Sequence, residues 1–214
     1  MPSRLSPRFS SLPESAACMP YSWQSIDAVK CPNQRGLAFY WDRMGGGGDQ
    51  LPRFADFSPD ARLIDPRRVL IVRVENRATR QYRVMHYGAR LREASGGDGT
   101  GKYIDQIVPP PLRMRALTSY DRCIARRCPV YLISRTSDGA GRDVYYERLS
   151  LPFGGKGNEV EWIVTLLHLI SPEGRFERDG LFGEKARAIQ DIQKALIRPG
   201  FSRNRCGAKR QAAS

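Results

Sequence analysis

Only two histidines, His86 and His168, occur in the 214-residue chain, and they lie far apart in sequence. A histidine-rich metal site needs more than that. A nucleophile–base relay needs a partner motif such as G-x-S-x-G, and none accompanies either residue. The five cysteines, Cys18, Cys31, Cys123, Cys128 and Cys206, form no C-x-x-C pair. That excludes a zinc knuckle or a disulfide framework and leaves reduced structural thiols. No run of about 18 apolar residues exists, so no segment reads as a membrane-spanning helix. Residues 1–20 lack the apolar centre of a secretory signal, which makes a soluble, cytoplasmic protein the default expectation. Acids are in deficit too: 22 Asp and Glu stand against 35 Lys and Arg, a formal charge of +13.

The excess is local. Residues 111–128 carry Arg113, Arg115, Arg122, Arg126 and Arg127 against a single acid, Asp121. The tail, residues 198–214, carries Arg198, Arg203, Arg205, Lys209 and Arg210. A solvated helix face and a disordered end account for both, and a surface for nucleic acid or another acidic partner is the rival reading.

Along the chain, residues 1–32 are rich in Ser and Pro and read as an irregular arm. Leu37, Tyr40, Trp41 and Met44 recur at helical spacing, predicting a helix over 33–44 that ends at the glycines 45–48. VLIVRVE (69–75) and QYRVMHY (81–87) read as a strand hairpin. Leu117, Tyr120 and Ile124 mark one side of an amphipathic helix over 112–127. Three further strand-like runs follow at 130–136, 144–151 and 160–170, separated by glycine-containing turns. Ile189, Ile192 and Leu196 then predict a helix over 184–197, stopped by Pro199 and Gly200.

The stretch GGDGTGKY (96–103) fits the phosphate-loop pattern G-x-x-x-x-G-K-[ST] except at its last position. There Tyr103 replaces the hydroxyl that would hold Mg²⁺, and Pro109–Pro111 follow too soon for a long helix. A turn is the better reading.

Four spaced pieces carry a resemblance: LAFYWDRM (37–44), LPRFADFSP (51–59), GDGTGKYIDQI (97–107) and YYERLSLPF (145–153). Together they resemble a bacterial subfamily of PAS domains, sensory modules, over residues 37–170. The resemblance implies a five-stranded antiparallel sheet in the order 2-1-5-4-3, with helices on one face around a pocket. It also implies that Thr100 and Gly101 turn the chain into a short helix after Tyr103 without any phosphate. The family's second strand carries an Arg followed by an aliphatic residue before glycine, where this chain has Met85 and His86.

The expected organisation is thus an arm (1–32), an α+β PAS domain with its flanking helix (33–170), a C-terminal helix (171–197) and a basic tail (198–214). His86, Tyr103, Tyr120, Tyr146, Trp162 and His168 are the candidates to line a ligand pocket, with core packing as the simpler role for the aromatics. His86 or His168 is where haem iron would be held, and Cys123 or Cys128 where a flavin adduct would form. Neither has the neighbouring motif, so hydrogen-bonded histidines are preferred and the cofactor stays open. Glu147 and Arg148 read as an exposed couple engaged in cross-strand ion pairing. No catalytic residue is assigned. The expected function is a non-enzymatic, stand-alone sensory module acting through a small ligand or a signalling-protein partner. A homodimer is expected to form through Leu37, Tyr40, Trp41 and Met44.

Overall fold

The computed structural model describes residues 19–46, 50–108, 110–137, 143–170 and 189–200. Ser22–Gln24 forms a short strand, β1, and Pro32–Trp41 the first helix, α1. Proline at the first helical position suits a helix start, where no intrahelical N–H bond is lost. Past Trp41 the helix loosens into a wider turn and ends where Gly45 takes φ 99°.

The β-branched run Val69–Asn76 (β2) pairs antiparallel with Gln81–Tyr87 (β3). Asn76 Oδ1 accepts from the Thr79 amide at 3.1 Å and fixes the turn between them. Three helices follow: Ala89–Ser95 (α2), Ile104–Ile107 (α3) and Pro110–Arg126 (α4). The strands Val130–Ser137 (β4), Asp143–Gly154 (β5) and Val160–Ile170 (β6) come next, and Gln190–Ile197 forms β7. Pro152 is tolerated in β5 because the β4–β5 pairing ends at Ser150, so no β4 partner waits for its missing N–H.

All seven strands join one sheet in the order β1-β7-β4-β5-β6-β2-β3. This corrects the expected five-stranded antiparallel PAS sheet in two ways. The sheet is larger and mixed, because β7 pairs antiparallel along β4 and β1 pairs parallel with β7. Helices also cover both faces rather than one. Consecutive residues of a strand point to opposite faces. Arg148 reaches Ser119 on α4, while its neighbour Glu147 accepts from the Cys31 amide at the start of α1. Helices α1 and α4 therefore pack on opposite sides of β5.

The helix expected over 184–197 is replaced, from Gln190 onward, by β7; residues 184–188 lie outside the described residues. The stripe Ile189, Ile192 and Leu196 does not survive as one face, for Ile192 is 44% exposed while the other two are buried. The edge of β4 would otherwise be an unpaired row of backbone groups, and β7 satisfies it. Residues 19–31 hold two short elements, β1 and a 3-10 turn, Ile26–Ala28, within the segment expected to be an irregular arm. The tail beyond Gly200 lies outside the described residues; Gly200 itself donates its amide to Asp42 at 2.8 Å.

The GGDGTGKY segment is a turn. Asp98 Oδ1 accepts from the Thr100 amide and hydroxyl at 2.8 and 2.7 Å, and Gly101 adopts φ 81°. The Gly101 amide donates to the Val84 carbonyl, while the Val84 amide donates to Lys102. With its Gly101 amide committed to β3, the turn is no phosphate cradle.

Candidate functional site

The helices α2, α3 and α4 do not seal against the sheet. Between them lies a cavity of about 270 Å³, lined on its apolar side by Leu70, Leu91, Ile104, Leu112, Leu132 and Leu167. Met114, also in the lining, is 56% exposed, so the cavity opens beside it.

The rest of the lining is polar. Arg115 from α4, Arg148 from β5, and Asp191 and Lys194 from β7 contribute to it, Arg148 and Lys194 being the cross-strand neighbours of Leu132. Asp191 sits at the centre of that group. Its Oδ1 lies 2.5 Å from Arg115 Nη2 and accepts from Ser134 Oγ at 2.9 Å, and its Oδ2 lies 2.9 Å from Lys194 Nζ. Arg115 also donates to the Ile189 carbonyl. Burial pushes the Asp191 carboxyl up, but the hydrogen bonds and charges of Lys194 and Arg115 outweigh it and hold the group below its ordinary value. Lys194 Nζ further stands 5.7 Å from the ring of Tyr21, a cation–π distance.

Arg148 is less well served. One Nη donates to Ser119 Oγ at 2.6 Å, yet its Nε is buried without a hydrogen-bond partner. Among the described residues the lining thus holds three cations and one carboxylate. Tyr120 and Tyr146 stand beside them, and burial raises both phenols, so near neutral pH each remains a protonated hydroxyl.

Of the residues singled out in the sequence, Tyr120 and Tyr146 line this cavity. The other four pocket candidates do not, and each has a local partner instead. His86 Nε2 donates to the Pro66 carbonyl at 3.0 Å, since a carbonyl can only accept. His168 Nδ1 accepts from Arg68 at 3.3 Å and lines a smaller cavity of about 240 Å³ beside α1. Tyr103 accepts from Arg83 at 2.6 Å and donates to Glu75 at 2.8 Å. Trp162 stacks on Phe54, ring centroids 4.5 Å apart, with the Arg73 guanidinium over it at 5.7 Å. Cys123 and Cys128 are buried thiols, Cys123 pushed well up and Cys128 up to about 12 by burial, which is not the state of a reactive cysteine.

The proposed dimer stripe is used within the chain. Leu37 and Trp41 are fully buried, and Trp41 Nε1 donates to the Pro152 carbonyl at 2.6 Å. Tyr40 and Met44 pack partly buried against the same core, and the Tyr40 hydroxyl accepts from the Ser58 amide at 3.2 Å. Nor do the α4 arginines form a common outward face. Arg115 turns into the cavity, and Arg122 stands over Tyr21 at 6.0 Å. Arg127 donates to Asn158 at 2.5 Å, and Arg113 has a buried Nε. Arg126 and Arg198 are exposed, while Arg203, Arg205, Lys209 and Arg210 lie outside the described residues.

Sequence reasoning missed Asp191 and Lys194 and misread Glu147 and Arg148 as an exposed couple. Glu147 is fully buried, its Oε2 accepting from the Cys31 amide at 2.9 Å and from the Tyr131 hydroxyl at 2.7 Å. A signal was present in YYERLSL, where Tyr146, Arg148 and Ser150 share one strand face: a charge on a strand with both faces covered has to meet a buried partner. No helix among the described residues is long and apolar enough to cross a membrane. No protein-family model matches the chain, and no curated protein matches it.

Proposed function

We propose that the protein is a regulatory module that works by holding a small organic molecule in the cavity between α4 and the sheet. The observation that carries this reading is the cavity itself, about 270 Å³ of mostly apolar lining with a cluster of polar groups. Small-molecule sites have this character: an apolar body for affinity and a few placed polar groups for orientation. The motif resemblance to PAS sensory modules points to the same kind of role, although the seven-stranded mixed sheet departs from theirs. Binding there would bear on α3, α4 and β7 together, since all three supply lining residues, and a signalling partner would read that change on the surface.

Native mass spectrometry and an absorption spectrum of the full chain, purified without denaturation, test the reading. A co-purifying small molecule, or an amphipathic compound from a screen that raises the melting temperature, is the expected result. Either effect is lost in Ala116→Phe, which fills the cavity from α4. Absence of any bound or stabilising compound refutes the proposal, as does binding that Ala116→Phe leaves unchanged.

A further inference from the structure

We infer that the cavity selects an amphipathic anion, a carboxylate on an apolar acyl or aryl body, with Arg148 as the residue that receives the head group. The inference rests on the small-ligand reading above and adds the class of ligand.

Three observations lead there. Among the described residues the charged lining is Arg115, Arg148 and Lys194 against Asp191, more positive than negative charge. Asp191 is committed to Arg115 and Lys194, which leaves Arg148 with a hydroxyl, Ser119 Oγ, and no carboxylate partner in contact. The Arg148 Nε is buried and unpaired. Leaving a buried guanidinium donor unsatisfied is unfavourable, and a planar carboxylate presents the two acceptors that a guanidinium edge matches.

The alternatives fit worse. A wholly apolar ligand would leave the Arg148 Nε as it is, without a partner. An ammonium would meet those three cations and a carboxylate that is already engaged. The apolar side, running from Leu132 and Leu167 toward Leu112, accommodates the body of the ligand, and the opening at Met114 gives it a way in.

Isothermal titration of the full chain near neutral pH tests this with octanoate, 2-naphthoate, 1-octanol and octylammonium. One or both carboxylates should bind at least about tenfold more tightly than 1-octanol, the scale of one charge-assisted hydrogen bond, and octylammonium should bind most weakly. In Arg148→Met the carboxylate advantage disappears while 1-octanol binding persists. In Arg148→Lys, which keeps the charge but loses the guanidinium edge, only part of the advantage remains. Persistent 1-octanol binding also shows that the Met variant is folded. If the unaltered chain binds 1-octanol as tightly as octanoate and naphthoate, or if Arg148→Met keeps the preference, the anion inference falls and the small-ligand reading stands. If none of these probes binds and no other compound does, the small-ligand reading fails as well.

Discussion

Replacing Asp191 by Asn isolates the carboxylate on which the polar lining of the cavity depends. The side chains of Asp191 and Lys194 are 11% and 9% exposed, and Arg115 is 32% exposed. Removing one member of a buried ion pair strands its partner, at a cost of about 3–5 kcal/mol. Because Arg115 retains access to water, the lower end applies here, about 3 kcal/mol. For a chain of this size that corresponds to a melting temperature lower by roughly 6–12 °C. Urea unfolding followed by far-ultraviolet circular dichroism measures it directly. Adding Lys194→Met should restore much of the loss, since the stranded charge then goes too. The pH dependence has a definite sign. The folded Asp191 carboxyl lies below its unfolded value, so its contribution is complete above about pH 4 and is lost as pH falls through the folded value. Asp191→Asn should therefore show a shallower acid limb than the unaltered chain. A stability within about 0.5 kcal/mol of the original, or a double variant no better than the single one, would refute the reasoning.

Trp41→Ala should lower stability by about 3–5 kcal/mol through loss of a fully buried indole and its bond to Pro152, and light scattering should show unfolding rather than a simple shift in oligomeric state. Cys123 and Cys128 should escape iodoacetamide near neutral pH until the protein is unfolded, as mapped by peptide mass spectrometry, because burial holds both thiols protonated. Tyr103→Phe should change stability by less than about 1 kcal/mol and leave octanoate titrations unaltered, because its hydroxyl serves an exposed pair, Arg83 and Glu75, outside the cavity lining.

The elements visible in the sequence are those whose partners are near in sequence or whose pattern is set by burial. The hairpin at 69–87 shows because β-branched residues flank a polar turn, and α4 shows because Leu117 and Tyr120 are buried while Arg122 and Arg126 are exposed. Strand β7 stayed hidden for a physical reason. QDIQKALI is made largely of residues that favour helix, and only pairing with β4, more than fifty residues earlier, makes it a strand. Strand β1 is three residues long and exists only against β7, so nothing local marks it. In the site, Tyr120 and Tyr146 were legible as aromatics with a polar tip. The two histidines drew attention for their chemistry alone, and each is occupied by a neighbouring carbonyl or guanidinium.

The hidden strands and the missed site residues have one origin. Asp191 and Lys194 belong to β7, and Tyr21 immediately precedes β1, so the elements that enlarge the sheet also furnish part of the cavity's polar lining. Without them the described lining of the cavity would present Arg115 and Arg148 with no carboxylate, a charge arrangement that a buried space tolerates poorly. Asp191 thus acts as a built-in counter-ion that lets α4 turn Arg115 inward, and it fastens β7 to α4 in doing so. On the proposed reading an entering carboxylate binds Arg148 beside the two cations that Asp191 holds. Whatever it gains or loses by lying next to that cluster, the attachment of β7 must change by the same factor, because coupling between two equilibria is reciprocal. The sheet edge made by β7 and β1 is therefore the part of the molecule whose hydrogen exchange should respond most to octanoate, and an unchanged edge alongside measurable binding would separate the cavity from that role.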